Sequence, residues 1–262
     1  MDILQKIAER TKERVEARKK LVPLQKLMET AFSGGVDDSF SFETTLHSKD
    51  IAFICEIKKA SPSKGVITED FPYLEIAKDY EMAGAAAISI LTEPYYFEGD
   101  DRYLREIADM VSVPLLRKDF IVDSYMIYEA KTLGASAVLL ICAILDQETL
   151  AAYIGIAHSL GLSALVEAHT EAEIDMALAA GARVVGVNNR NLKTFEVDIT
   201  LSQRLRKKVP RDIIFVSESG VHTANDIELL RQFNVDAVLV GEALMCSPDK
   251  KAALAKLRGN TP

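Results

Sequence analysis

Short apolar runs alternate with charged, helix-periodic segments along most of this chain, regularly enough to be counted. The runs lie near 51–57, 86–91 (AAISIL), 114–118 (PLLRK), 136–142 (SAVLLIC), 163–167 (SALVE), 183–188 (RVVGVN), 213–217 (IIFVS) and 236–240 (DAVLV). Stretches such as "YLEIAKDYEMAG", "DSYMIYEAKTLG" and "TEAEIDMALAAG" separate them and carry apolar residues at helical spacing. Several close on glycine (Gly84, Gly134, Gly161, Gly181), as helices that end in a left-handed residue do. Others open with Asp or Thr, whose side chains cap free N–H groups.

The runs are continuously apolar rather than alternating, so these strands are buried on both faces, as in a parallel sheet covered by helices. Eight strand–helix units without a linker predict an α/β fold, a single (β/α)8 TIM barrel. An open doubly wound sheet is the main rival, and no G-x-G-x-x-G follows any strand to support it. Ahead of the first run, residues 1–20 have helical spacing. A second helix is expected over about 22–32, starting after Pro23 and ending near "SGG". The chain thus reads as one domain, 1–262, with an N-terminal helical extension (1–48) and a barrel (49–262).

Composition narrows the class. With 262 residues, 48% hydrophobic and 27% charged, the chain can bury a large core. A formal charge of −8 disfavours general nucleic-acid binding. The N-terminus is charged from Asp2 onward and does not read as a signal peptide, and the longest apolar run, near Ala135–Leu145, is too short to span a bilayer. Three dispersed cysteines suggest free thiols in a reducing compartment, so the cytoplasm is expected. The four histidines show no ligand spacing, so neither a metal nor another cofactor is expected.

In such a barrel the chemistry sits at the C-terminal strand ends. Read in order, those ends carry Glu56 and Lys58, Lys118 in "LLRKDF", Glu167 in "ALVEAH", and Asn188 and Arg190 in "GVNNRNL". Glu218, Ser219 and Gly220 follow in "VSESG", then Gly241 and Glu242 in "VLVGEALM". Glu56 and Lys58 share one strand face, while Lys59 points to the other. One charged strand end is what solubility alone produces; five ending in acid, base or amide after apolar runs are hard to explain that way. "SESG" and "VGEAL" place small residues where backbone N–H groups can approach an anion, at the usual phosphate position of the fold. "ASPSKG" supplies Ser61, Ser63 and Lys64 on a loop that could cover a ligand, with Gly65 allowing movement. Lys58, Lys118 and Arg190 would form a positive mouth, and their crowding should lower a lysine's pKa. Lys59 and Lys64 are expected to be solvated, and His169 to be a surface residue at a helix start. Phe97, Phe120 and Leu139 are either core or a flat apolar pocket.

Taken together, "EIKKASPSKG", "LTEPYYFEGD", "LLRKDFIVD", "ALVEAHT", "GVNNRNLKTFEVD", "VSESGV" and "VGEALM" resemble the indole-3-glycerol-phosphate synthase family of tryptophan biosynthesis. The resemblance implies closure of the pyrrole ring of 1-(2-carboxyphenylamino)-1-deoxyribulose 5-phosphate, with loss of carbon dioxide and water. It implies Lys118 as general acid, Lys58 on the carboxylate, and Glu167 stabilising positive charge and accepting a proton. Glu56 and Asn188 would assist, and Glu218 would bind a substrate hydroxyl. Ser61, Ser219, Gly220, Gly241 and Glu242 would take the phosphate, and Phe97, Phe120, Leu139 and Leu192 the aromatic ring. The partner expected is a phosphorylated small molecule, with no nucleic acid or membrane, and a monomer. The alternatives are another phosphosugar isomerase, a Schiff-base aldolase using Lys118, or a phosphometabolite-binding barrel without catalysis.

Overall fold

A computed structural model of the chain describes residues 2–191 and 194–259. Three helices come first: α1 (Ile3–Leu21), α2 (Leu24–Ser33) and α3 (Ser41–Leu46). Strand β1 (Ala52–Ile57) leads into a small antiparallel hairpin, β2 (Ala60–Ser61) and β3 (Gly65–Val66). The remaining strands are β4 (Ala87–Leu91), β5 (Leu115–Lys118), β6 (Ala137–Ile141), β7 (Ser163–Ala168), β8 (Val184–Asn188), β9 (Ile214–Glu218) and β10 (Ala237–Val240). With β1 they close into one parallel barrel, β1-β10-β9-β8-β7-β6-β5-β4. All eight barrel strands fall within a residue or two of the apolar runs.

The local signals act as their chemistry requires. Asp100, Asp146, Thr170 and Thr223 each accept a backbone N–H at a helix start. Gly84, Gly134, Gly161 and Gly181 all take positive φ, between 72° and 87°, just after helices. The helix over 41–46, absent from the sequence reading, is short; Phe42 and Leu46 are fully buried there beside inward-facing Ala52, Ala87 and Val184. They plug the barrel at the end from which β1 departs.

Strand parity sorts every barrel side chain. Ala52 and Ile54, Leu116, Ala137 and Leu139, Leu165, Val184, Val216 and Leu239 form the inner core. Further along the same faces stand Glu56, Lys118, Glu167 and Glu218, each two residues on from an inner-core residue, and Asn188, four on from Val184 with Gly186 between them. The opposite parity packs against the helices, and there β5 carries a fully buried arginine. Arg117 donates to Asp101 and Glu129 at 2.8 Å each and to the Met126 carbonyl at 2.9 Å. Arg14 of α1 grips both oxygens of buried Asp119 at 2.8 Å, and Arg18 pairs with the same Asp101 and Glu129. These pairs lay α1 across the barrel mouth, where Ile3, Leu4 and Ile7 face the cavity. Among the described residues no helix is long and apolar enough to cross a membrane.

Candidate active site

One cavity of about 1130 Å³, including the part open to solvent, occupies the C-terminal mouth. Except for Leu192, which lies outside the described residues, every site residue expected from the sequence lines it. They gather because inward parity at successive strand ends points each side chain at the barrel axis.

At its centre two lysines are interleaved with three carboxylates. Lys58 Nζ lies 2.5 Å from Glu56 Oε1. Lys118 Nζ lies 3.5 Å from both Glu167 Oε2 and Glu218 Oε2. Asn188 donates Nδ2–H to Glu167 at 3.4 Å, and its Oδ1 accepts from Ser219 Oγ at 2.9 Å and from the Arg190 amide at 3.1 Å. Ser219 reaches back because it and Gly220 both have positive φ, 65° and 85°, turning the chain sharply after β9. Asn189, one residue on and of opposite parity, instead donates to Ser217 and the Ser219 carbonyl and accepts from Ser202.

This balance reverses one expectation. The lysines are not crowded by cations. Burial disfavours the charge on Lys118, but Glu218, Glu167 and Glu56 outweigh it and raise the ammonium well above the ordinary lysine range. The acids diverge. Burial pushes Glu56 up, yet Lys58 and Lys118 hold it below the usual carboxylate range. Glu218 is raised to about 7, by burial first and then by repulsion from Glu167 and Glu56, which Lys118 only partly offsets. Among the described residues its Oε1 is buried with no hydrogen-bond partner, an acceptor left for something else to fill.

One wall is apolar. The Phe97 and Phe120 rings lie 5.9 Å apart with planes at 37°, alongside Leu139 and Ile141. Phe97 is placed by Glu93, fully buried, whose carboxylate accepts the N–H groups of Tyr95, Tyr96 and Phe97 at 2.9, 2.7 and 3.1 Å. On the other side Glu242 bridges Lys64 at 3.2 Å and Arg190 at 3.5 Å, over the turns after β9 and β10. Gly241 lets these elements close: a Cβ there would fall 2.5 Å from Glu56 Oε1.

Two further residues, Lys59 and His169, depart from the sequence reading, while Lys64 is exposed as expected. The "ASPSKG" segment is a hairpin whose Ala60 amide bonds the Phe97 carbonyl at 3.2 Å, and the positive φ of Gly65 serves its turn. Lys59 does face away, but it pairs with Glu98 at 2.7 Å, just as Lys64 pairs with Glu242. His169 is not a surface histidine: inward parity carries it on from Glu167, and only 17% of its side chain is exposed. Glu93, Asp119 and the apolar face of α1 were not foreseen as parts of the site. A strand-end acid in "LTEP" was the one available signal.

A parallel barrel whose mouth sets charged lysines among buried carboxylates defines an enzyme of acid–base chemistry. The family model for indole-3-glycerol phosphate synthase matches residues 4–257. The chain belongs to that family, whose members are decarboxylating lyases of tryptophan biosynthesis. It is 59% identical to the indole-3-glycerol phosphate synthase of Ruminiclostridium cellulolyticum, over 98% of this chain and 99% of the relative. It is 53% identical to that of Endomicrobium trichonymphae, over the same shares. Among solved structures, a 3-hexulose-6-phosphate synthase superposes with a TM-score of 0.63 at 16% identity, covering 80% of this chain and 99% of the other, a likeness of fold alone.

Proposed function

We propose that this chain closes the pyrrole ring of 1-(2-carboxyphenylamino)-1-deoxyribulose 5-phosphate at the mouth described above, giving indole-3-glycerol phosphate, carbon dioxide and water. The observation that carries the assignment of roles is the interleaving of Lys58 and Lys118 with Glu56, Glu167 and Glu218. Attack of the carboxyl-bearing ring carbon on the ketone puts negative charge on oxygen and positive charge in the ring. A cationic donor and an opposed carboxylate stabilise both at once.

Lys118 protonates the ketone oxygen. A raised pKa keeps it charged at neutrality, and the nascent alkoxide is basic enough to take its proton. Lys58 holds the substrate carboxylate and supplies a proton to the departing hydroxyl. Glu167 faces the cationic ring and accepts the C–H proton during dehydration, with Glu56 and Asn188 assisting. The open oxygen of Glu218 receives a substrate hydroxyl. Phe97, Phe120 and Leu139 hold the aromatic ring. Ser61, Ser219, Gly220, Gly241 and the Glu242 backbone take the phosphate, with Arg190 beside them. We further propose that the protein works as a cytoplasmic monomer whose partner is this phosphorylated metabolite, the helical extension and barrel acting as one unit.

A Schiff-base aldolase needs a neutral amine, and the carboxylates around Lys118 oppose one. The test is the appearance of indole fluorescence from the carboxyphenylamino-ribulose phosphate without added metal. Its absence, or a borohydride-trapped lysine adduct, would overturn the reading.

A further inference from the structure

The side of Glu167 turned away from Lys118 meets a second titratable group that the roles above leave unused. Lys118 and Asn188 both contact Oε2 of Glu167. Oε1 lies 3.8 Å from Nε2 of His169, whose other nitrogen, Nδ1, lies 3.7 Å from Glu173 Oε2. Glu173 is fixed in the first turn of its helix, its Oε2 accepting the His169 amide at 2.6 Å, and 22% of its side chain reaches solvent. One imidazole therefore stands between a carboxylate in the cavity and a carboxylate that partly reaches solvent. Among the described residues Nε2 is buried with no hydrogen-bond partner, an arrangement that is costly when it serves nothing. Both spacings are a few tenths of an ångström beyond a hydrogen bond, the looseness common in sites that tighten around substrate.

The stoichiometry of the proposed reaction supplies a use. Ring closure takes one proton onto the ketone oxygen, and carbon dioxide then leaves with no proton change. Dehydration breaks a C–O bond, the hydroxyl departing as water with a second proton, and breaks a C–H bond that returns one. Each turnover therefore consumes one proton from solvent, while α1 and the hairpin lie across the mouth.

We propose that Glu173, His169 and Glu167 form a proton-entry relay that recharges the active-site lysines between turnovers. Glu167 first passes the C–H proton to the neutral Lys118 amine, 3.5 Å away. The imidazolium Nε2–H bond then breaks as a new O–H bond forms on the freed carboxylate. This second proton moves on through Lys118 and Glu56 to the Lys58 amine, 2.5 Å from Glu56 Oε1. His169 regains its proton from water through Glu173. The groups facing the imidazole are Glu167 of β7, Glu173 of the following helix and, further off, Glu218 of β9. Burial works against the imidazolium, but these three carboxylates outweigh it and raise the group above the usual histidine range, which favours the proton-carrying form. The thiol of Cys142, bonded to the Glu173 carbonyl at 3.6 Å, is pushed up to about 12 by burial and stays neutral.

The inference rests on Glu167 being the proton acceptor, so the two are tested separately. His169→Ala should lower kcat tenfold or more with KM within twofold, and imidazole in the buffer should restore the rate in a saturable way while leaving the parent unaffected. His169→Asn, which fills the space and carries no proton, should be equally slow with an unchanged melting temperature and no rescue. Parental kcat in either variant, or a loss in His169→Ala that imidazole does not restore, overturns the relay. Glu167→Gln retaining turnover would instead overturn the assignment of Glu167.

Discussion

The carboxylate of Glu218 occupies the space a side chain on Gly186 would need. A Cβ built on Gly186 would overlap Glu218 Oε1 and come within 3.1 Å of the Leu165 side chain. Gly186 lies mid-strand on the inward face of β8, and its φ is not in the left-handed region, so its backbone would accept alanine. The missing methyl group is what seats Glu218 beside Lys118. Gly186→Ala is therefore expected to displace that carboxylate and lower kcat by roughly 10- to 100-fold, with a stability loss of about 1–3 kcal/mol from overpacking. Glu218→Asp in the same background should recover part of the loss, because the shorter chain frees the volume. Strictly additive single and double variants would show that Gly186 does not act through Glu218.

Lys118 is the group whose removal separates chemistry from binding. Lys118→Ala should reduce turnover by at least about 10³-fold, while the phosphate and the aromatic ring, held elsewhere in the cavity, keep substrate affinity within a few-fold. Single-turnover kinetics together with equilibrium substrate binding check both halves. Near-normal turnover would sink the role given to Lys118.

The fold was legible because each barrel strand is an uninterrupted apolar run closed by cap chemistry, and the site because strand parity and strand ends follow directly from those runs. Glu56 with Lys58, and Asn188 against Asn189, separate on parity alone. What lay outside reach depended on partners distant in sequence. Nothing near Lys118 announces that Glu167 and Glu218, 49 and 100 positions away, would surround it and reverse the sense of its shift. His169 looked like a helix-start surface residue because its burial is produced by the turn before the next helix. Glu93 and the apolar face of α1 became part of the site only through loop closure and through long-range pairs such as Arg14 with Asp119.

That pair carries a stability prediction. Arg14 and Asp119 are both buried, joined at 2.8 Å through both carboxylate oxygens, and Thr92 donates to the same Asp119 at 2.7 Å. Arg14→Met removes the two-pronged partner of Asp119 and leaves it Arg117 at 3.7 Å as its remaining cation. The loss is about 3 kcal/mol, at the low end for a broken buried pair, and for a chain of this size a fall of roughly 10 °C in melting temperature. Asp119 also receives the Phe120 amide at 2.8 Å and directly follows Lys118, so KM should rise as the aromatic wall loosens. Calorimetry with parallel kinetics reads both effects. A melting temperature within about 2 °C of the parent would mean that the Arg14–Asp119 pair is not what holds α1, leaving Arg18 and the apolar contacts to do so.

Glu218 gives the last prediction its sign. Its carboxyl is raised from 4.5 to about 7, so between those values the folded protein holds a proton that the unfolded chain has released. The stability this contributes is complete below pH 4.5 and is lost as pH rises through 7. It amounts to about 3 kcal/mol at most, since one pKa unit is worth about 1.4 kcal/mol. Glu218→Gln keeps a neutral group in the same seat and removes the titration. In urea unfolding at pH 5 and pH 8, the parent should therefore lose stability relative to Glu218→Gln on going to the higher pH. A difference between the two proteins that stays constant across this range, or grows in the parent's favour, would show that Glu218 is already ionised in the folded state, with Lys118 outweighing its burial.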